Sequence, residues 1–305
     1  MKKMTEAGLI DWIRKASPAD SRVLVGIGDD AAVVRGSAQM AFKTDMIIEN
    51  VHFERRGSRP EDWGYKAAAV NLSDMAAMGA KPEYALAAVG LPADMSPNCA
   101  RAIHRGMMRA LGAFGVALVG GDTCRSERIT IAVFMAGSIN RGKMFLRSGG
   151  SSGDVLFVTG KLGGSLRFGR HLRFVPRIRE SEYLAKHYQV RAMMDISDGL
   201  AKDLRLLGAE SGTGAELETA RIPVHSDAGR RGVSAALLDG EDFELLFALK
   251  DVQARRLERD RAAGRLGMRF YRIGRLVPKK QGFTLIGTDG TRQNIPPAPD
   301  HHFGS

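Results

Sequence analysis

The sequence has little of what marks several common protein classes. Its 305 residues contain only two cysteines, Cys99 and Cys124, which form no CxxC pair, so we predict neither a disulfide framework nor a cysteine-based zinc site. No stretch approaches the ~20 apolar residues of a membrane-spanning helix. Charged residues interrupt the apolar residues near the N-terminus, which argues against a signal peptide. We therefore expect a soluble, cytoplasmic protein with reduced thiols.

The sequence also lacks the usual nucleotide and metal motifs. The nearest match to a P-loop, from Gly153 to Lys161, has its glycines too far apart, and Leu162 stands where a serine or threonine should bind the metal. No GxGxxG follows a predicted strand, the protein-kinase signatures are missing, and the seven histidines form no HExxH. Phosphate chemistry in this chain must therefore depend on other residues.

The order of predicted elements indicates an α/β protein (α+β, two-domain). The length favours two domains, and strands alternate with helices along the chain. We place the boundary in the segment 140–153, which is rich in glycine, serine and arginine, and predict domains over 1–140 and 141–305. We predict helices over 5–15, 58–78, 96–115, 198–211 and 251–263, and strands over 23–27, 40–45, 84–90, 116–119, 129–137, 154–159, 191–195, 243–249, 268–277 and 283–286.

The acidic residues are the informative feature of the sequence. They follow apolar strands or lie within apolar or small-residue stretches, at Asp29-Asp30, Thr44-Asp45, Asp74, Gly121-Asp122, and Asp195 with Asp198. Each group alone is also typical of a turn, but five groups together favour a common role. In open α/β sheets, ligands bind outside the carboxyl ends of the strands. Carboxylates and phosphates gathered there are ligands that Mg²⁺ prefers, so the pattern indicates metal-dependent phosphate chemistry.

Several longer motifs occur in an order that resembles one family. The segments are Gly26–Ala31, Lys43–Asp45, Val51–Phe53, Ala69–Ala80, Gly120–Thr123, Arg147–Gly149, Asp195–Leu200 and Gly240–Leu245. Over roughly residues 5 to 290 the chain resembles the thiamine-monophosphate kinase family, within the aminoimidazole-ribonucleotide-synthetase-like superfamily. The resemblance implies an N-terminal domain that pairs with its copy in a homodimer to form a β-barrel, followed by a C-terminal α/β domain. It also implies direct transfer of phosphate from ATP to thiamine monophosphate, giving thiamine diphosphate.

The resemblance also implies roles for individual residues. Several Mg²⁺ ions, with ATP as co-substrate, would be held by Asp30, Thr44, Asp45, Asp74, Asp122, Asp195 and Asp198. The nucleotide would contact Gly121, Asp122, Arg147 and Ser197. Thiamine monophosphate would meet His52 and Glu241, and a carboxylate suits its cationic thiazolium ring. No residue is expected to act as a general acid or base, because metal and positioning carry the reaction.

The sequence departs from the family pattern at a few places. Lys43 stands before Thr44-Asp45 where the family often has a small residue, and its charge could replace that of one cation. The segment 164–195 is short and rich in arginine, Gly163-Gly164-Ser165 replaces an expected acidic motif, and a proline replaces an aromatic residue near the C-terminus.

Two other readings of the sequence stay open. One is an ATP-dependent enzyme of the same superfamily with a different acceptor. A selenide-using enzyme should carry Cys, Sec or Lys in a glycine-rich N-terminal segment, but residues 1–20 have no cysteine and only Gly8. The other is a non-enzymatic binder of nucleic acid or acidic partners, suggested by the net charge of +11. Aromatic residues make up only 7% of the chain, which does not favour the stripe of basic and aromatic residues that such binding requires. An inactive homologue is a further reading, but every expected metal aspartate is present.

Overall fold

The computed structural model describes residues 12–13, 15–18, 20–25, 33–36, 39–139, 144–262 and 267–297. The chain divides into two compact units. The first comprises Met1–Met75, Ala80–Arg141 and Leu172–Val175, and the second comprises Ala76–Gly79, Gly142–His171 and Pro176–Ser305. In the described ranges, no helix is both long enough and apolar enough to cross a membrane.

The first unit is built on a four-stranded sheet. Its elements are β1 (Val23–Val25), β2 (Val33–Val34), β3 (Met40–Ile48), α1 (Pro60–Ala77), β4 (Lys81–Leu91), α2 (Pro97–Gly112), β5 (Ala117–Arg125) and β6 (Thr130–Ser138). The sheet has the order β3-β6-β4-β5, and β1 and β2 form a separate antiparallel pair. Strands β4 and β5 are parallel, whereas the other neighbours are antiparallel. Of the predicted helix over 5–15, Trp12, Ile13 and Lys15 are described and helical.

The two faces of this sheet differ in burial. Ile47, Val133 and Met135 point to one face and are buried. Helix α1 lies on that face, because a Cβ added at Gly137 would meet the Met75 Cε atom at 2.6 Å. The other face carries large exposed apolar side chains, at Phe42, Met46, Leu86 and Phe134. Successive residues of a strand point to opposite faces, so the alternation along β3 produces this difference.

Helices α1 and α2 cross at two glycines. A Cβ at Gly64 would lie 1.8 Å from the carbonyl oxygen of Ile103, and one at Gly106 would lie 1.8 Å from that of Glu61. No side chain fits at either position, so the backbones approach closely. The start of α2 is fixed by Ser96, whose Oγ accepts a hydrogen bond from the N–H of Cys99. This crossing packs α1 closely against α2.

Two strands run further than the sequence predicted, which changes where their acidic residues stand. Strand β3 continues to Ile48 and β5 continues to Arg125, so Asp45 and Asp122 lie within strands and not beyond their ends. The reason is that hydrogen-bonded pairing with the neighbouring strands continues through both segments. Gly121 permits this, since a Cβ there would lie 1.9 Å from the carbonyl oxygen of Ala87.

The second unit contains a seven-stranded sheet of order β13-β12-β9-β11-β7-β10-β8. Its elements are β7 (Val155–Val158), α3 (Ile178–His187), β8 (Val190–Ile196), α4 (Leu200–Ser211), β9 (Thr213–Glu218), α5 (Val233–Leu238), β10 (Glu244–Leu249), α6 (Asp251–Ala262), β11 (Tyr271–Pro278), β12 (Phe283–Ile286) and β13 (Arg292–Asn294). Only β9 and β12 pair in parallel. Sequence analysis did not predict α3, β9, α5 or β13.

The core of the second unit lies between its sheet and helices α4 and α5. It includes Leu156 and Leu246 from the sheet, Leu200 and Leu204 from α4, and Leu237 from α5. On the other side of the sheet, the rings of Phe157 and Phe247 stack with centroids 5.5 Å apart. Together the two units give the mixed α/β architecture that the sequence predicted. Within the described residues the four-stranded sheet is open, with β3 and β5 at its edges.

Candidate active site

In the first unit, a lysine links two of the predicted metal ligands. Lys43 Nζ lies 3.2 Å from Asp45 Oδ1 and 3.0 Å from Asp74 Oδ2. Lys43 and Asp45 are two residues apart on β3 and therefore share a face, while Asp74 reaches them from α1. Burial disfavours the ammonium, but the charges of Asp74 and Asp45 outweigh it and raise the pKa of Lys43. The two carboxylates thus converge on one cationic group.

Thr44 and Asp122 lie on the opposite face of the same sheet. Thr44 is paired with Phe134 on the exposed face, and its hydroxyl donates to the carbonyl oxygen of Val133 at 3.2 Å. Asp122 is exposed on this face, and its Oδ1 accepts the N–H of Thr123 at 2.9 Å. A single chain therefore does not bring these two residues beside Asp45 and Asp74. Asp30 lies outside the described residues, as does the C-terminal segment 298–305.

His52 is fixed in one orientation by backbone hydrogen bonds. Its Nδ1 accepts the N–H of Ile48 at 3.0 Å, so in the neutral ring the proton lies on Nε2. Its carbonyl oxygen accepts from Nζ of Lys66, a fully buried lysine of α1, at 2.8 Å. The imidazole is thereby held as a donor through Nε2, which suits contact with a phosphate oxygen.

In the second unit, three aspartates lie where β8 passes into α4. Asp195 is buried near the end of β8. Asp198 forms an ion pair with Lys202 at 2.6 Å, and its N–H donates to Asp203 Oδ2 at 3.0 Å. Burial, and then the charges of Asp195 and Asp198, raise the pKa of Asp203 well above its ordinary value. Such a concentration of carboxylates favours a bound cation.

Glu241 occupies a strained backbone position next to this cluster. Its φ is 60°, a region that costs a residue with a side chain about 1–2 kcal/mol. The N–H of Glu241 donates to the carbonyl oxygen of Ser197 at 2.6 Å, which ties the two loops together. His171 Nδ1 lies 3.5 Å from Glu241 Oε2. Strain of this kind persists where surrounding contacts enforce it, and it is common at functional sites.

The residues after Glu241 anchor the loop that follows β7. Asp242 is buried, with Oδ2 accepting from the Gly163 N–H at 2.8 Å and Oδ1 from Arg170 at 2.9 Å. Burial raises the pKa of Asp242 to about 7, against the lowering effect of both donors. Glu244 accepts from the hydroxyl of Thr159 at 2.6 Å. Asp242 and Glu244 of the Gly240–Leu245 motif therefore hold this loop in place.

The loop that carries Arg147 is held by the C-terminal end of α4. The carbonyl oxygen of Arg147 accepts from the hydroxyl of Ser211 at 2.8 Å, and Ser211 Oγ accepts from the N–H of Gly150 at 3.1 Å. A Cβ at Gly149 would lie 2.7 Å from the carbonyl oxygen of Arg191. The Arg147 side chain is exposed on this fixed loop, as a phosphate-contacting residue requires.

Carboxylate oxygens are the type of donor that Mg²⁺ prefers, but those of the first unit are too few to complete its coordination. Asp45 and Asp74 present hard oxygen donors that already converge on a cation. Among the residues that the structure describes, no group of three or more carboxylate, imidazole or thiol side chains is placed to hold a metal ion by itself. Mg²⁺ is commonly held by one or two carboxylates together with water and substrate phosphates. The residues present therefore fit a metal that binds together with a phosphorylated ligand.

Sequence analysis missed several residues of these sites. Asp203 lies on the apolar face of α4, three residues from Leu200 and one from Leu204. An acidic residue among the apolar residues of a predicted helix could have indicated a functional site. Arg170 was noted only as part of an arginine-rich segment, yet it pairs with Asp242. Arg177 likewise pairs with the buried Glu244. No sequence pattern pointed to these pairings, because they join residues about 70 positions apart in the chain.

Comparison with known proteins places the chain among related sequences. Residues 28–139 match the family described as "AIR synthase related protein, N-terminal domain". The chain is 36% identical over 308 residues to the thiamine-monophosphate kinase of Rhodopirellula baltica, covering 95% of each protein.

Two solved structures are similar along nearly the whole chain. The thiamine-monophosphate kinase of Stenotrophomonas maltophilia superposes with a TM-score of 0.81 at 31% identity, covering 96% of this chain and 98% of that one. The structure of AaThiL gives a TM-score of 0.74 at 31% identity, covering 98% and 97%. Such identity over nearly full length in both proteins defines a family relationship. This chain belongs to the thiamine-monophosphate kinase family.

Proposed function

We propose that this protein transfers the γ-phosphate of ATP directly to thiamine monophosphate, giving ADP and thiamine diphosphate. The observation that carries the proposal is full-length similarity to a family with this activity in its name. In addition, AaThiL was solved in complex with AMPPCP, an analogue of ATP, and TMP. Phosphoryl transfer depends mainly on positioning and on neutralisation of charge, and the carboxylate-rich sites of this chain suit that requirement.

In this proposal, Mg²⁺ is held in the first unit by Asp45 and Asp74 on one face of the sheet and by Thr44 and Asp122 on the other, with Asp30 as a further ligand, and in the second unit by Asp195 and Asp198. When bound, Mg²⁺ would neutralise the charge of the phosphates during transfer. The chain's own contribution is to fix the carboxylates on rigid elements, since Asp45 lies within a paired strand and Asp74 on a helix locked by a close crossing. Gly121, Asp122, Arg147 and Ser197 would position the nucleotide.

His52 and Glu241 are assigned to thiamine monophosphate. The imidazole of His52 is oriented with Nε2–H as a donor, which suits the acceptor phosphate. Glu241 offers a negative charge on a strained loop, which suits the cationic thiazolium ring. Both assignments are supported by the local geometry of each residue.

The proposed active species is a homodimer in the cytoplasm. The open face of the four-stranded sheet carries Phe42, Met46, Leu86 and Phe134, and large exposed apolar groups on one face are typical of an interface. Two copies of this sheet could close into the eight-stranded barrel that the family resemblance implies. We propose 1–140 as the metal-binding and dimerising domain and 141–305 as the C-terminal domain. The free thiols of Cys99 and Cys124 suit a reducing compartment.

The test is an assay of ADP release by the purified protein, with ATP and Mg²⁺, in the presence and absence of thiamine monophosphate. Release that depends on thiamine monophosphate, with thiamine diphosphate identified by mass spectrometry, is the expected result. ATP binding without such dependence would overturn the proposed acceptor. A panel of other phosphate-accepting or amidine-containing metabolites would then identify a different enzyme of the superfamily.

A further inference from the structure

The candidate site of the first unit contains a positively charged side chain, that of Lys43. The Lys43 ammonium contacts one oxygen of Asp45 and one of Asp74, at 3.2 and 3.0 Å. All three side chains are partly shielded from solvent, with 33%, 38% and 25% of their surfaces exposed. Opposite charges at this separation attract strongly when water is partly excluded. The ammonium therefore neutralises much of the repulsion between the two carboxylates.

A paired strand and a packed helix hold these three residues. Lys43 and Asp45 lie within β3, which is paired with β6 along its whole length. Asp74 lies on α1, whose backbone is held against α2 at Gly64 and Gly106. The contact is thus built into a strand and a helix and does not depend on a loop.

A divalent ion that bridged the same two oxygen atoms would need the position of the ammonium. Mg²⁺ binds oxygen at about 2.0–2.1 Å, so a bridging ion would lie between the same atoms that now contact Nζ. An ammonium and a divalent ion cannot share that position, because like charges a few ångströms apart repel strongly. Asp45, whose side chain is 38% exposed, has a second oxygen through which a metal can still bind.

We propose that Lys43 is a tethered cation that takes the place of one divalent ion between Asp45 and Asp74. The proposal deepens, and rests on, the metal-dependent phosphate chemistry proposed above. An ammonium has three N–H donors, and two are directed at the carboxylates. The third is suited to a phosphate oxygen of the nucleotide. Lys43 would then join the two carboxylates to the nucleotide and reduce by one the number of divalent ions that the site binds.

The experiment counts bound Mn²⁺ by equilibrium dialysis, using the full chain saturated with AMPPCP. Lys43→Met keeps the length of the side chain and removes its charge, and we expect it to bind about one more Mn²⁺ per chain than the wild type. Lys43→Arg keeps the charge and should give the wild-type number. The count is made at saturating Mn²⁺, so a variant that needs metal to fold is still measured.

A matched control is Lys81→Met, because Lys81 is an exposed lysine of the same sheet. It should bind as many ions as the wild type. A second readout is the melting temperature without metal, which should fall in Lys43→Met and recover when Mn²⁺ is added. Equal counts in wild type and Lys43→Met, or an extra ion in Lys43→Arg or Lys81→Met, would overturn the proposal.

The failure of this inference can be told apart from failure of the proposed function. The ion count requires no turnover, so it stands even if thiamine monophosphate is not the acceptor. Conversely, the wild type could make thiamine diphosphate while it and Lys43→Met bind equal numbers of Mn²⁺. That result would support the proposed function and overturn the proposed role of Lys43.

Discussion

Lys43 of strand β3 and Asp74 of helix α1 form an ion pair with 3.0 Å between Nζ and Oδ2. The pair connects the sheet of the first unit to the helix that covers one of its faces. Asp74 lies in a segment of small and apolar residues where a charged group requires a partner. One partner in the protein is Lys43, which also contacts Asp45. A structural ion pair and a proposed metal site therefore share the same carboxylates.

The first prediction separates these two roles of Asp74. Asp74→Asn should lower Mg²⁺-dependent kcat/KM by at least about 100-fold, because a charged ligand near the phosphates is lost. The free energy of unfolding should change by only about 1 kcal/mol, because Lys43 keeps its ion pair with Asp45 and the new amide oxygen can still accept a hydrogen bond from Nζ. Activity assays and urea denaturation measure the two effects.

Asp94→Asn is the matched control, because Asp94 is in the same unit and 78% of its side chain is exposed. This variant should retain wild-type activity and stability. Near-full activity of Asp74→Asn with Mg²⁺ would show that Asp74 is not a ligand in the reaction.

The second prediction concerns the substrate assignment of Glu241. Glu241→Gln keeps the size of the side chain and the cost of the positive φ, so only the charge changes. We expect KM for thiamine monophosphate to rise about 10-fold, which corresponds to about 1.4 kcal/mol, with a small change in kcat. Steady-state kinetics with varied thiamine monophosphate at saturating ATP measures this.

Glu210→Gln, at an exposed glutamate of α4, controls for a general loss of negative charge. An unchanged KM in Glu241→Gln would remove Glu241 from the substrate site. A rise in KM for ATP alone would instead place Glu241 near the nucleotide.

The third prediction tests the open face of the four-stranded sheet. The rings of Phe42 and Phe134 stack on this face with centroids 5.9 Å apart, and Phe42 is 67% exposed. Phe134→Glu should convert the proposed dimer to a monomer, because a carboxylate would be buried at the interface without a partner. Light scattering after size-exclusion chromatography measures the mass. Phe168→Glu, which changes a phenylalanine of the second unit that is 65% exposed, should leave the mass unchanged.

The sequence predicted the composition of the sites better than their geometry. The patterns at Asp74 and at Asp195 with Asp198 pointed to carboxylate clusters, because charged residues in apolar surroundings are costly without a partner. Thr44, Asp45 and Asp122 were all predicted to hold Mg²⁺, and the sheet places the side chains of Thr44 and Asp122 on the face opposite to Asp45. Their roles as ligands stay predictions. Thr44 is the neighbour of Asp45 in β3, so the alternation of side chains along a strand is enough to place it on the other face. The face of Asp122 depends on the pairing between strands, and the sequence of a single strand does not fix that register.

The ion pairs of the arginine-rich segment 164–195 could not be predicted from the sequence. The bonds of Arg170 to Asp242 and of Arg177 to Glu244 depend on the fold of the second unit. Helix α3 was missed for a related reason. Its buried residues are Ile178, Ser181 and Leu184, and one of these three is polar. The apolar periodicity of this short helix is therefore weak in the sequence.

The last prediction concerns stability in acid and rests on Asp62 of α1. Its carboxylate is fully buried and accepts from Arg173 at 2.9 and 2.7 Å, and from Arg59 at 3.3 and 3.4 Å. Burial alone would raise the pKa of Asp62, but hydrogen bonds and charge from Arg173 and Arg59 outweigh it and lower the pKa to about 2. A lowered pKa contributes stability that is full above pH ~4 and is lost as the pH falls toward 2.

Asp62→Asn should therefore lower the free energy of unfolding by about 2 kcal/mol at pH 7. The difference from the wild type should shrink between pH 4 and pH 2. Urea denaturation of both proteins at several pH values measures it. Taking the difference removes the contribution of Asp203, whose raised pKa acts in the opposite direction in both proteins. A difference that stays constant down to pH 2 would mean that the loss comes from packing and not from the charge of Asp62. Asp251→Asn, at an exposed position, should show no difference at any pH.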